Sequence, residues 1–211
     1  MNEFDIKARE WDQNPMHWDR SKAVTEKLLK TIPVTHGMTA LEYGAGTGIT
    51  GFLLRDHLKE ITMMDNSAEM VKIMNEKIRE SGASNLNTVF FNLERKDWKG
   101  ERFDMIVTQM VLHHVNDIEN IIRKFQLMLN PGGYLAIADL YPEDGSFHGE
   151  DFTGHKGFDV DMLSVMVRQK GFINVTHQKC FVIDKKISPT NTRQFDVFLL
   201  TAEKQLELLN H

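Results

Sequence analysis

Cysteine is almost missing from this chain: Cys180 is the single thiol in 211 residues. It excludes an intrachain disulfide and fits a reducing compartment. A small buried residue in a strand is its expected role. Also missing is any apolar run of about eighteen residues, the length a membrane-spanning helix needs. The N-terminus, MNEFDIKARE, lacks the basic and apolar regions of a secretory signal, so a cytoplasmic location is expected. Basic charge is short too. The 25 Lys and Arg face 30 Asp and Glu, for a net charge of −5, which leaves no electrostatic footprint for a phosphate backbone. Nucleic acid is therefore not an expected partner. Repeats and low-complexity tracts are absent, and the length suits one domain with a sizeable core.

What the chain does contain is an alternation of strand and helix patterns, the mark of a parallel sheet covered on both faces. Strands are predicted over 39–43, 61–65, 87–91, 105–109 and 134–139, and helices over 19–32, 48–58, 67–81 and 117–129. In the helix over 67–81, Asn66 is the predicted cap, with Glu69 three residues on and Gly82 as the stop. The last third departs from alternation. A helix over 160–170 is followed by two strands, 173–184 and 194–202, around Ser188-Pro189-Thr190-Asn191, and this hairpin predicts an antiparallel edge.

The first strand runs into the most informative segment, LEYGAGTGITGFLL, Leu41 to Leu54. Gly44, Gly46 and Gly48 leave no side chain between backbone and ligand, and they can take the positive φ that a tight strand-to-helix turn demands. Two cofactor classes use such a turn. Gly46, Gly48 and Gly51 satisfy G-x-G-x-x-G, and Asp65 stands where a ribose-binding acid belongs, so an NAD-dependent oxidoreductase is one reading. A dinucleotide would set its pyrophosphate against the helix N-terminus, where Glu42 would oppose it. S-adenosylmethionine has no phosphate and carries a sulfonium and an ammonium, which an acidic strand end attracts. Glu42 and Asp65 together favour the methyl donor.

Glu42-x-Gly44-x-Gly46-Thr47-Gly48 resembles the first motif of the class I S-adenosylmethionine-dependent methyltransferases, and the later segments follow in the family's order. The segments FDMIVTQMVLHHVND and LNPGGYLAIADL resemble the family's fourth motif and the one after it. The pattern is most similar to the small-molecule enzymes of ubiquinone and menaquinone biosynthesis. The resemblance implies a Rossmann-like, doubly wound α/β sheet of seven strands in the order 3-2-1-4-5-7-6. It implies cofactor contacts from Glu42, Tyr43, Gly44, Gly46, Gly48, Asp65, Asn66, Met70, Asn92, Leu93, Gln109 and His113, with Asp65 holding the ribose. Asn92 replaces the Asp found in many relatives at the adenine. Tyr43 either lies over the sulfonium or simply packs. Strand four ends in Gln109-Met110-Val111-Leu112 instead of the Asn/Asp-Pro-Pro-aromatic motif of amino-methylating DNA enzymes, and the cysteine pairs of arsenic methyltransferases are missing. A small organic acceptor remains, as O, N, S or C nucleophile.

Two segments outside the central block are expected to meet that acceptor. The arm AREWDQNPMHWDR, Ala8 to Arg20, either folds over the cofactor as a lid or packs its tryptophans on the domain or on a second subunit. This divides the chain into an arm, 1–33, and a methyltransferase domain, 34–211, in a monomer or homodimer. The second segment, YPEDGSFHGEDFTGHKGF after strand five, is long and polar, and Phe147, Phe152 and Phe158 argue that it is ordered. Methyl transfer is a direct displacement, so the protein must mainly align the reactants and exclude water. A general base is needed only for a protonated acceptor, and His148 and His155 are the candidates. His148, Glu150, Asp151 and His155 fit no standard ligand spacing, and no metal is expected. The alternatives to a methyltransferase are the NAD enzyme and a non-catalytic protein that binds S-adenosylmethionine.

Overall fold

The computed structural model describes residues 8–149 and 151–206; Glu150, one of the acidic residues weighed above, lies outside them. At its centre is one seven-stranded sheet of β1 (Thr39–Tyr43), β2 (Glu60–Asp65), β3 (Leu86–Phe90), β4 (Phe103–Gln109), β5 (Leu129–Leu140), β6 (Phe172–Ser188) and β7 (Asn191–Lys204). The strand order is 3-2-1-4-5-7-6. β1 to β5 run parallel, and β7 pairs antiparallel with both β5 and β6. Successive residues of the central strands point to opposite faces, and both faces are apolar. Leu41, Ile106 and Leu135 pack with Phe125 and Leu163 on one side. Ala40, Met105 and Ala136 pack with Val24, Leu28 and Leu54 on the other.

Among the described residues, five α-helices cover these faces: α1 (Pro15–Thr31), α2 (Ile49–Leu54), α3 (Ala68–Ser81), α4 (Ile118–Met128) and α5 (Val160–Gln169). α1 begins a full turn before the predicted residue 19. Asn14 caps it, its Oδ1 accepting the Met16 N–H at 3.1 Å, with Pro15 at the first helical position. Trp18 and Arg20 therefore project from a helix, which takes in the second half of the arm segment Ala8–Arg20. α2 stops at Leu54 and tightens into a 3-10 turn at Arg55–His57. The cap of α3 is Ser67 instead of Asn66: its hydroxyl accepts the Met70 N–H at 3.2 Å, while Gly82 closes the far end at φ 66°. β5 reaches back through Asn130-Pro131-Gly132-Gly133, where its register with β4 shifts. The terminal hairpin runs beyond the predicted ends because residues 191–196 of β7 continue to pair with β6 past the end of β5. Cys180 lies in β6, half-buried, with Sγ toward the Val197 carbonyl, and burial pushes its thiol up to about 12.

All the parallel strands end on one side, where the glycine turn, the β2–α3 turn and the segment after β5 meet. That is the edge at which open α/β sheets bind ligands. The cap assignment has a direct check: Ser67→Ala should lower thermal stability by about 0.5–2 kcal/mol, the usual cost of a lost N-cap, measured by chemical denaturation.

Candidate functional site

The glycine turn is held by the neighbouring strand end. The N–H groups of Gly44 and Ala45 donate to the Met64 carbonyl at 2.9 and 3.0 Å. The Gly46 N–H donates to Asp65 Oδ2 at 2.7 Å, and the other Asp65 oxygen accepts the Ser67 N–H at 2.8 Å. One buried carboxylate thus ties the turn to the start of α3. Gly46 has φ 57°, and a Cβ added there would meet no protein atom within 4 Å. The backbone is bare toward the cleft. At Gly44 a Cβ would come within 2.4 Å of Val111, and at Gly48 within 2.8 Å of the Met63 sulfur, so those two serve close packing. Gly51, the last glycine of the dinucleotide frame, lets α2 approach the Glu42 carboxyl: a Cβ there would lie 2.9 Å from Glu42 Oε2.

The cleft above this turn has a volume of about 350 Å³, within the range of small-ligand sites. Of the residues expected from sequence, Glu42, Tyr43, Gly44, Gly46, Asp65, Asn66, Met70, Leu93 and Gln109 line it. Five others are placed elsewhere, among them His148, which does not line the cleft. Gly48 sits behind the turn as the first residue outside α2. Asn92 folds back on its own chain, its Oδ1 accepting the Arg95 N–H at 3.1 Å, and borders a separate depression with Asn116 and Asp117. His113 is buried, and His114 lines the cleft in its stead. His155 is pinned away from it, with Nε2 3.0 Å from the Val115 carbonyl and its N–H on the His113 carbonyl.

Two charged groups in the wall are taken out of water. Glu42 is buried, accepts the Gly51 N–H at 2.9 Å, and has its pKa raised to about 8, chiefly by burial. In the free protein it is largely protonated at neutral pH, so the attraction the sequence predicts develops only when a cation enters. Tyr43, also buried, has its phenol pushed up by the same cause and packs edge-on against Phe125 at 5.2 Å. Opposite them lies Arg20, 5 % exposed, brought down to about 10 by burial against a smaller opposing pull from Asp139. Its Nε has no hydrogen-bond partner among the described residues, and neither has Gln109 Oε1, whose amide nitrogen donates to Ser21 Oγ at 2.8 Å. Arg20 was missed as a site residue, yet it carries a signal: it stands four residues before Val24 and eight before Leu28, in the buried stripe of α1.

The arm closes one side. Trp11, in a 3-10 turn at Ala8–Gln13, lines the cleft. The Thr47 hydroxyl donates to Asp12 Oδ1 at 2.5 Å, and Lys77 Nζ donates to Asp12 Oδ2 at 2.7 Å and to the Thr47 carbonyl at 2.9 Å. On the far side, His113 Nδ1 lies 2.6 Å from the fully buried Asp139 Oδ1. The ring of His113 contacts His114 at 4.2 Å and His148 at 4.9 Å, and His148 stacks on Phe152 at 4.0 Å. Among the described residues after β5, Phe147 is buried and Phe152 stacks on His148, so these phenylalanines pack as the sequence predicts.

Glu42 makes stability pH-dependent. Below its ordinary value of 4.5, folded and unfolded chains both hold the proton; between there and about 8 only the folded chain does. Stability from this group therefore falls as pH rises through that window, by up to about 1.4 kcal/mol per pH unit, and levels off above it. Glu42→Gln keeps an acceptor for Gly51 and should flatten this slope in denaturation curves taken between pH 5 and 8.

Comparison with known proteins agrees with this geometry. The methyltransferase domain family matches residues 34–156. An uncharacterized methyltransferase of Schizosaccharomyces pombe is 32% identical over 120 residues, 54% of this chain and 42% of that protein. The ubiquinone/menaquinone biosynthesis C-methyltransferase UbiE of Shewanella sediminis is 33% identical over 109 residues, 49% of this chain and 43% of the relative. The N-terminal Xaa-Pro-Lys N-methyltransferase 1 of Xenopus tropicalis is 29% identical over 140 residues, 65% and 62% of the two chains. The matched part thus spans less than two thirds of each of these relatives. Among solved structures, the YcgJ protein of Bacillus subtilis superposes with a TM-score of 0.72 at 17% identity, over 87% of this chain and 99% of that one. The Haemonchus contortus phosphoethanolamine N-methyltransferase 2 does so with 0.71 at 13%, over 95% and 57%. Since the family match takes in more than half of the sequence, the chain belongs to the methyltransferase domain family.

Proposed function

We propose that this chain is an S-adenosylmethionine-dependent methyltransferase that transfers a methyl group to a small organic acceptor by in-line displacement. The observation that carries the reading is the pairing, in one cleft, of a bare glycine turn and a buried acid with a buried guanidinium whose Nε has no hydrogen-bond partner among the described residues. Burying an unpaired charge costs several kcal/mol unless a ligand completes it. A zwitterionic amino-acid group carried on a nucleoside completes both ends, so the residues present fit the cofactor. S-adenosylmethionine supplies an electrophilic methyl group on a sulfonium.

The chain's own residues do the rest. Arg20 and Gln109 hold the carboxylate and ammonium of the methionine portion. Gly46 lets it approach the backbone. Asp65, which lines the cleft beside Asn66, accepts the ribose hydroxyls, and Met70 and Leu93 form apolar walls for the base. Glu42 ionises as the cation binds, and Tyr43 packs beneath the reactive end. The described part of the arm, residues 8–33, through Trp11 and the Asp12 clasp on Thr47 and Lys77, acts as the lid that excludes water. The acceptor enters on the histidine side, between His114 and the segment over 141–158, where His148 receives a proton if the acceptor carries one. His155, turned to the Val115 carbonyl, holds that segment in place. The names of the relatives span a quinone-biosynthesis C-methyltransferase and an enzyme acting on N-terminal Xaa-Pro-Lys. A small acceptor is favoured here because the arm and the 141–158 segment both cover the strand ends.

Isothermal titration with S-adenosylmethionine and S-adenosylhomocysteine tests this. Both should bind with one-to-one stoichiometry, and Arg20→Met should weaken binding by about 1.5–3 kcal/mol, the worth of a charge-assisted hydrogen bond. Binding of NADH with no binding of either sulfur compound would overturn it. Asp12→Ala should loosen the lid and weaken affinity less, by about 0.5–1.5 kcal/mol, read by the same titration.

A further inference from the structure

We propose that His113, His114 and His148 form a site for a divalent transition metal of the zinc type at the acceptor end of the cleft. One ring nitrogen from each lies within 4.8 Å of the others. Zinc bound by imidazole at about 2.0–2.1 Å holds its ligands about 3.4 Å apart, so small ring rotations complete the set. The two neighbours stand on the 3-10 turn Leu112–His114 after β4, and His148 comes from the segment after β5. The fold, not local spacing, brings them together, which is why no metal is expected from the sequence.

His113 has the support that a metal-binding imidazole needs. Its Nδ1 meets Asp139 Oδ1 at 2.6 Å, while Asp139 also accepts the N–H groups of His113 and Leu140. The carboxylate fixes the ring with the proton on Nδ1 and leaves Nε2 for a metal, the arrangement that orients histidine ligands and raises their basicity. Phe147 and Phe152 wall the cluster, with ring contacts of 6.4 and 6.1 Å to His113, and limit water access. Burial is graded from His113 inside to His148 at the surface, an entry path for the ion. Three neutral nitrogen donors without a carboxylate suit zinc, iron, cobalt, nickel or copper and disfavour magnesium and calcium. Three protein ligands leave a fourth position open, the pattern of a metal that binds substrate.

Because His114 lines the cleft, that open position borders the acceptor space. This names the acceptor class as one bearing a hydroxyl or enol oxygen, an assignment that rests on the methyltransferase reading above. Coordination lowers the pKa of the O–H group. Its proton leaves to water on the exposed His148 side, the oxygen forms a bond to the methyl carbon, and the carbon–sulfur bond breaks. The three imidazoles then act as ligands, and His148 receives a proton only in metal-free protein.

Chelator-treated full-length chain titrated with Co²⁺ is the test. The expected result is visible absorption that saturates at one equivalent and is displaced by Zn²⁺. His148→Ala should weaken Co²⁺ binding by at least about tenfold, and Asp139→Asn by about 10–100-fold. Unchanged S-adenosylhomocysteine affinity in His148→Ala would show that its fold and cofactor cleft are intact. An absence of saturable absorption in the wild-type chain, or the same Co²⁺ affinity in His148→Ala, would overturn the proposal. Co²⁺ binding without S-adenosylhomocysteine binding would remove the methyltransferase reading and leave the metal site standing.

Discussion

The candidate site depends on one carboxylate. Asp65, at the end of β2, accepts the Gly46 N–H with one oxygen and the Ser67 N–H with the other. These bonds set the glycine turn against the entry to α3, and the turn in turn places Glu42, Tyr43 and the start of α2. A free glycine loop would sample many conformations and lose more entropy on ordering than any other sequence. Cross-linked to the next strand, it is already in the shape that presents Gly46 to the cleft. Preorganisation of this kind lowers the cost of binding a ligand.

The charges around that turn follow from the same packing. Sheet and helices bury Glu42, so it holds its proton in the free protein; they bury Arg20, so its guanidinium stays charged but poorly solvated. Each group is costly alone, and each is relieved by the opposite charge of a ligand. The arm is part of this balance. Its helix α1 carries Arg20, while its 3-10 turn reaches across to Thr47 and Lys77 through Asp12. A segment outside the residues matched by the methyltransferase domain family thus supplies both a charge and a cover to the family's cleft.

Much of this was legible in the sequence because it is local. Strand order follows the resemblance, and the placement of Gly46 and Asp65 on the cleft follows from a glycine turn one strand away from an acid at a strand end; the bracing of the turn by Asp65 does not. What was not legible depends on rotation or on distance. Asn66 is expected as the cap from its spacing to Glu69, but α3 starts at Ala68, and it is the Ser67 hydroxyl that accepts the Met70 N–H. Asn92 has the right residue type at the right strand end, but its side chain bonds its own turn. Arg20 hides in an arm whose helix begins before its apolar periodicity does. The histidine cluster joins residues from two separated loops, and no spacing rule connects them. His155, within the segment expected to meet the acceptor, is turned to a backbone carbonyl instead.

A crystal structure of the chain with S-adenosylhomocysteine tests the central claim most directly. The account predicts the amino-acid carboxylate within hydrogen-bond distance of Arg20, the ribose hydroxyls on Asp65 with its bond to Gly46 retained, and the sulfur facing the His114 side. A nucleoside seated outside the glycine turn, or an Arg20 guanidinium still without an anionic partner in the complex, would contradict it.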